Sequence, residues 1–499
     1  MTPTESNLTK RTCSSASNPH VAIVGAGLSG LRCAEILLQN GFSVTILEAR
    51  DRVGGRVHQQ MLANGHLVDL GPNWIHGTDD NPILDLARNT NTSVERLDNN
   101  TGVYTSAGDL LPGDEGKTYS TTVWDVVQQA FEHSNDLGAE TDVNKSLLDF
   151  FHERIPEITP GTDAEFERNR EIVLNMAEKW GSFVGSPISR QSLKYFWLEE
   201  CIEGENLFCG GTYQKILGHV AAPALAGADI RFHSEAKQIR YPSDKSGKVE
   251  IQLVSGETLS FDEAVVTTPL GWLKRNPSAF VPALPPRLTQ AINSIGYGCL
   301  EKVYISFPHA FWLKSHQGQK VRGFIEWLAP KYAPDSNPHQ WHQTAVELAS
   351  LEDQNAHPTL LFYTFGEQSK HITSTLARLT TQEARTEFLK TFFHPYYSRL
   401  PNYYAASQEC QPVEFSTTEW SNDELAGFGS YCNFQVGLEH GDEDVETMRE
   451  GLPDQRVWFA GEHTAPFVAL GTATGAYWSG EMVGKRISEA YSMAKRHEA

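Results

Sequence analysis

No run of apolar residues in this sequence is long enough to cross a bilayer, so a membrane-spanning helix is not expected. Cysteine is sparse and shows no pairing pattern. The seven residues, Cys13, Cys33, Cys201, Cys209, Cys299, Cys410 and Cys432, are odd in number and contain no CxxC. That argues against a disulfide framework and a cysteine zinc site, and points to a reducing compartment. Positive charge is also in deficit. Lys and Arg total 41 against 62 Asp and Glu, a formal net charge of −21, so neither nucleic acid nor an anionic membrane is expected as a main partner. The acid surplus suits a cationic small molecule, and it serves equally as a solubilising surface. No His/Cys/Asp cluster has metal-ligand spacing, and no metal is expected. Residues 1–19 are polar, rich in Ser and Thr and lack an apolar centre, as expected of a disordered tail rather than a secretory signal. The C-terminus, Lys495 to Ala499, matches neither a peroxisomal nor an ER address, leaving cytoplasm as the expected location.

What is present fits an ordinary globular enzyme. The 499 residues suffice for two or three domains, with 40% hydrophobic and 21% charged positions. One stretch organises the rest: His20 to Arg56, HVAIVGAGLSGLRCAEILLQNGFSVTILEARDRVGGR. Val21 to Val24 is a β-branched, apolar run suited to a parallel strand buried on both faces. Gly25, Gly27 and Gly30 follow as GxGxxG, then apolar residues at helical intervals to Leu38, with Gly41 as a stop. The first glycine permits a tight turn, the second lets backbone approach a pyrophosphate, and the third allows close helix–strand packing. The helix N-terminus then offers free N–H groups to the phosphates. A second strand, Phe42 to Leu47, ends in Glu48, about where an acid accepts hydrogen bonds from a ribose. These residues predict an ADP-containing dinucleotide, and alone they suit NAD as well as FAD. Ala49 to Arg56 is a basic, glycine-rich loop, from which Arg50 and Arg56 can donate to phosphate or flavin oxygens; a solvated turn has the same composition.

Further along, Leu67 to Leu70 predicts a strand running into Gly71-Pro72-Asn73-Trp74-Ile75-His76. Residues 98–205 are largely helical, clearest at Trp124 to Phe131, Leu147 to Phe151 and Phe166 to Trp180, with turns such as Thr159-Pro160-Gly161. Strands are predicted at Ile230 to Tyr241, Val249 to Leu253, Ala264 to Thr268, Val303 to Phe307 and Thr359 to Phe365. A helix is predicted at Thr380 to Thr391, and Asp335 to Gln343 reads as a hydrophilic insertion. The chain closes on Val457 to Thr464 and a glycine-rich helix start at Gly471 to Ala476. Dinucleotide character thus recurs in separated blocks, with a second domain woven between them.

The motifs GAGLSGL, LEARDRVGGR, GPNWIHG, TTPLGWLK, EKVYISFPHAFW, GSYCN and FAGEHT…GAYWSGE occur in an order that resembles the flavin-containing amine oxidases. That group includes polyamine oxidases, monoamine oxidases and lysine-specific histone demethylases. The resemblance runs from about Val21 to Ile487 and is greatest to polyamine oxidases of fungal and animal type. It implies FAD and an α/β and α+β fold. A Rossmann-like FAD domain would be assembled from residues 20–97, 206–287 and 427–490. An interleaved substrate domain, residues 98–205 and 288–426, would carry a mixed six-stranded sheet flanked by helices.

By the same resemblance, FAD is held by Gly25, Gly27, Gly30, Glu48, Arg50, Arg56, Gly71, Pro72, Asn73, Trp74, Ala236 (through its backbone) and Glu462. Lys302 opens an alternating strand pattern, and a lysine there is ordinarily solvent-exposed. The motif instead implies a buried lysine that holds a water at flavin N5 and transfers protons with a lowered pKa. His76 is expected to hydrogen-bond a substrate nitrogen, or else to be a satisfied histidine at the flavin edge. Tyr431 and Thr472 take the two positions of the substrate cage, where relatives have two aromatics or an aromatic and Thr; one aromatic wall can still guide a cation. Ser430 stands where monoamine oxidases attach flavin through cysteine, so FAD is expected to be non-covalent. Thr474 replaces a histidine common in polyamine oxidases. The acidic run Glu199 to Glu205 reads either as a binding site for distal ammonium groups or as a solvated loop.

The implied reaction is oxidation of a primary or secondary amine by hydride transfer to flavin, followed by imine hydrolysis to aldehyde plus amine. Dioxygen would be reduced to hydrogen peroxide. Partners are therefore a small cationic amine and dioxygen, with the protein a monomer or weak homodimer. The rival readings are an amine or amino-acid oxidase of secondary metabolism, a histone demethylase-like protein, or a non-catalytic FAD scaffold.

Overall fold

In the computed structural model the described residues are 18–97, 101–158, 163–243, 247–315 and 321–495. Most of the expected tail, Cys13, the turn at Thr159 to Gly161 and the last four residues lie outside them. The strand His20–Val24 is apolar on both faces and needs cover above and below. It lies at the centre of a five-stranded parallel sheet ordered Val457–Phe459, Glu263–Val266, His20–Val24, Ser43–Leu47, Asp229–Arg231. Val21, Ile23, Val265 and Trp458 pack under the helices Leu28–Gln39, Gln214–Gly227 and Ala473–Lys495. Ala22, Val24, Ala264 and Val266 face the other way, against Ile239 and Ile251 of a four-stranded sheet. The two helices Leu28–Gln39 and Ala473–Lys495 nearly touch. A Cβ on Gly480 would stand 2.0 Å from the Ser29 carbonyl oxygen, and Arg32 pairs with Glu481 across the contact.

The second assembly is a mixed six-stranded sheet ordered Glu414–Thr417, Leu300–Ser306, Thr359–Phe365, Gln343–Glu347, Phe324–Trp327, Gly102–Tyr104. Its pairings are antiparallel except the last. Helices Gly366–Arg378 and Gln382–Tyr397 lie along one side, while Gly113–Leu137, Leu147–Ile158 and Asp163–Ala177 form a helical cap. The fold is thus mixed α/β with a dinucleotide-type sheet and an interleaved sheet-and-helix assembly, as the sequence predicts.

One sequence expectation needs correction. Ile230 to Tyr241 is not one strand. The chain turns at His233 (φ +53), where the His233 and Ser234 N–H groups bond the Arg50 and Glu48 carbonyls. Asp229–Arg231 therefore ends the parallel sheet and Ala236–Arg240 enters the four-stranded one. Asp335 to Gln343, read as a hydrophilic insertion, keeps a polar residue inside: Asn337 is fully buried and its side chain bonds Trp341 and Tyr396.

Candidate active site

The loop after His20–Val24 turns at Gly25 (φ +110) and enters Leu28–Gln39 through Gly27, with no side-chain cap and no acid in the first turn. The free N–H groups of that turn face a cavity of about 450 Å³. Gly30 does not line it. It lies beneath, where a Cβ would come 2.1 Å from the Gly25 carbonyl oxygen. Glu48 is buried and its two oxygens accept from the Ala26 and Arg50 N–H groups at 2.8 Å, leaving further lone pairs for a ligand. Arg50 Nη2 donates to both carboxylate oxygens of Asp423, at 2.9 and 2.7 Å. Arg56 donates to Glu462 at 3.0 Å and to the Ser430 carbonyl. Burial opposes ionisation of Glu462, but the Arg56 charge, together with His463 and the hydrogen bonds from Cys432 and Arg56, holds the carboxyl below its ordinary pKa. Gly71 to Trp74 and Ala236 complete this arm of the cavity.

Three lining residues, Ser29, Thr268 and Asn73, have buried polar atoms without hydrogen-bond partners (Oγ, Oγ1 and Nδ2). Buried polar atoms are nearly always paired, and a polar group such as that of FAD entering the cavity fits these three. Cys432 is buried and burial keeps its thiol protonated, while Ser430 Oγ is engaged by the Leu300 N–H.

Lys302 lies on Leu300–Ser306, a strand paired on both sides, and is 5% exposed. Its Nζ donates to the Asp69 carbonyl at 3.2 Å and to the Gly71 carbonyl. Two carbonyls fix two N–H bonds, leaving the third position on nitrogen for a partner in the cavity. Burial lowers the Lys302 pKa, and the Asp69 charge partly restores it. Tyr363, directly across the sheet from Lys302, accepts from Trp74 Nε1 at 3.0 Å and donates to Asn73 Oδ1 at 3.1 Å. Sequence reasoning missed Tyr363, because only strand register brings it there.

His76 is half-buried at the cavity, and burial lowers its pKa. Its Nδ1 lies 3.2 Å from Asn206 Oδ1, which also accepts the Gly77 N–H, so Nδ1 carries the proton and Nε2 the lone pair. Tyr431 lines the cavity with its hydroxyl donated to the Phe183 carbonyl. Thr472 lines it too, but its hydroxyl bonds Ala469 O and Gly475 N at the start of the last helix. Thr474 is buried and bonded to Asn81.

The far arm is aromatic. Trp124, Phe131, Trp180 and Phe183 line it, the two tryptophans meeting edge to face at 6.0 Å, and Phe324 stacks on Trp74 at 5.7 Å. Their helical periodicity is visible in the sequence; their convergence on a cavity is not. The acidic run divides. Glu199 lines the cavity, accepts the Phe434 N–H at 3.2 Å and is pushed up to about 8 by burial. Glu200 is half-buried and accepts from Asn135. Glu203 and Glu205 are exposed, Glu205 pairing with Arg96.

The model of the family described as flavin containing amine oxidoreductase matches residues 28–488. "Probable polyamine oxidase 4" of Arabidopsis thaliana is 27% identical over 93% of this chain and 85% of its own length. "Polyamine oxidase 2" of the same plant is 27% identical over 95% and 90%. "Lysine-specific histone demethylase 1B" of Mus musculus is 26% identical over 94% of this chain but 53% of its own length.

Proposed function

Because the chain belongs to the flavin containing amine oxidoreductases, a family that binds FAD, we propose that it oxidises a polyamine-type substrate. Glu199 carries this reading: a carboxylate lining the same aromatic-walled cavity as Lys302 and His76. An amine with one nitrogen needs no second charged site. A polyamine presents a distal ammonium, which would ionise Glu199 and pair with it. Bound FAD supplies the two-electron acceptor for the amine carbon–hydrogen bond and afterwards the donor that turns dioxygen into hydrogen peroxide.

The chain's own residues orient and protonate. His76 Nε2 takes a hydrogen bond from an N–H of the reacting nitrogen and fixes its orientation. Tyr431 and the aromatic arm guide the cation and exclude water. Thr472 leaves room where a second aromatic would stand. Lys302 holds or moves a proton at the third position of Nζ. Arg50 and Arg56, the arginines that line the cavity, are engaged by Asp423 and Glu462 in the cofactor arm, which disfavours a substrate carboxylate. A peroxide assay over spermine, spermidine, their acetylated forms, monoamines, amino acids and a methyl-lysine peptide tests the reading. Highest turnover on polyamines supports it, and turnover confined to amino acids or to the peptide overturns it.

A further inference from the structure

Two charged side chains are buried beside the aromatic arm, and neither lines the cavity. Lys179 sits in the short turn Glu178–Trp180 at the end of the helical cap and is 5% exposed. Its Nζ lies 3.0 Å from Glu326 Oε1 on the strand Phe324–Trp327, and Glu326 is 0% exposed. The second carboxylate oxygen accepts from His342 Nε2 at 2.6 Å and from Thr344 Oγ1 at 2.7 Å. Burial opposes ionisation of Glu326, but Lys179 and these hydrogen bonds hold its carboxyl below its ordinary pKa. Replacing such a pair by apolar residues of similar volume is often neutral or stabilising, so stability alone does not account for it.

Side chains alternate along a strand, so Phe324 and Glu326 leave the same face, while Ile325 and Trp327 enter the core of the six-stranded sheet on the other. Lys179 meets both residues of that face: its Nζ, paired with Glu326, also stands 4.2 Å from the centre of the Phe324 ring. Phe324 lines the cavity and stacks on Trp74, which lines it too and is held through Nε1 by Tyr363. Trp180, the next residue after Lys179, lines the aromatic arm, and Ser182 Oγ closes the turn by donating to the Lys179 carbonyl at 2.7 Å. One lysine thus ties the helical cap to the strand that carries a wall of the cavity.

We propose that Lys179 is a positioning residue for the amine site: anchored by Glu326, its ammonium holds the Phe324 ring by cation–π attraction and fixes the Phe324–Trp74 wall against which the carbon chain of the amine packs. This rests on the reading of the cavity as the site of an amine substrate. Cation–π attraction is strongest where water is excluded, as it is around this pair. A ring already facing a fixed ammonium is a poor place for a second cation. The wall therefore takes methylene groups and leaves the nitrogens to His76 and Glu199. A wall ordered before binding also spares the substrate the cost of ordering it.

The test uses the FAD-bound enzyme, with a para-fluoro label on the Phe324 ring read by fluorine NMR and steady-state kinetics on spermine. Lys179→Met combined with Glu326→Gln removes the pair without leaving a buried charge unpaired. The fluorine resonance should then shift or broaden. KM for spermine should rise roughly 5- to 30-fold, the worth of one desolvated cation–π contact, with the limiting rate of flavin reduction nearly unchanged. Lys179→Arg, which keeps a cation able to stack on a ring, should stay close to the parent in both readouts. Phe324→Leu, which leaves the ion pair in place, should raise KM to the same extent, and in that background the pair substitution should change KM no further. A resonance that stays in place in the pair variant, a KM unchanged in Phe324→Leu, or a pair effect on KM that persists without the ring overturns the proposal. A displaced resonance with no turnover of any amine removes instead the reading of the cavity as an amine site.

Discussion

Lys302 and Glu199 are opposite cases of one rule, that burial disfavours the charged form: it lowers the lysine's pKa and raises the acid's. Replacing Lys302 by Met should leave FAD bound and slow reoxidation by on the order of 10²-fold, the usual contribution of a placed proton-transfer group; stopped-flow mixing of reduced enzyme with dioxygen measures it. Glu199→Gln should raise KM for spermine by roughly 10- to 100-fold, the value of one charge-assisted bond, and leave KM for monoamines nearly unchanged. It should also change the pH dependence of stability. The folded pKa of Glu199 is raised, so its contribution is complete below the unfolded value of 4.5 and is lost as pH rises through about 8. Glu199→Gln should therefore lose less Tm than the parent as pH rises through this window, which scanning fluorimetry in the free enzyme would show. At this scale the sequence is legible where chemistry is local. Gly25, Gly27 and Glu48 follow from spacing, whereas Lys302 needs its motif, and Tyr363 needs the register that sets it opposite Lys302.

At the scale of elements, the glycine-rich start of Leu28–Gln39 works only if that helix is held close to its neighbours. Gly480 allows Ala473–Lys495 to lie against Ser29, and Ser29 is in the turn that faces the cavity. Gly480→Ala should force the helices apart, costing about 1–3 kcal/mol by overpacking, and weaken FAD binding together with Tm. An unchanged FAD dissociation constant would separate that contact from the cradle. Strand and helix identities along His20 to Leu47 are readable because period and turn chemistry agree. The break at His233 is not, because it is imposed by hydrogen bonds to the distant Glu48–Arg50 loop. Likewise Trp124, Trp180 and Phe183 look in sequence like ordinary core residues of helices, and only packing of the cap turns them towards a cavity.

For the whole molecule, the arm of the cavity proposed to hold FAD joins Gly25, Glu48, Ala236, Thr268 and Glu462, drawn from segments far apart in the chain. A ligand that unites them should stabilise the fold by mass action. FAD at 100 times its dissociation constant should add about 2.7 kcal/mol, seen as a concentration-dependent rise in Tm of stripped protein; NAD should give none. Among the described residues no helix is long and apolar enough to cross a membrane, and no group of His, Cys, Asp and Glu is placed to hold a metal. The central claim is that one cavity brings FAD and a polycationic amine together. Anaerobic addition of spermine to the purified, flavin-loaded protein tests it most directly. The account predicts that the visible flavin absorbance bleaches, and that admitting air restores it with one equivalent of hydrogen peroxide. Flavin that stays oxidised with every polyamine yet bleaches with an amino acid, or purified protein that retains no flavin, would contradict it.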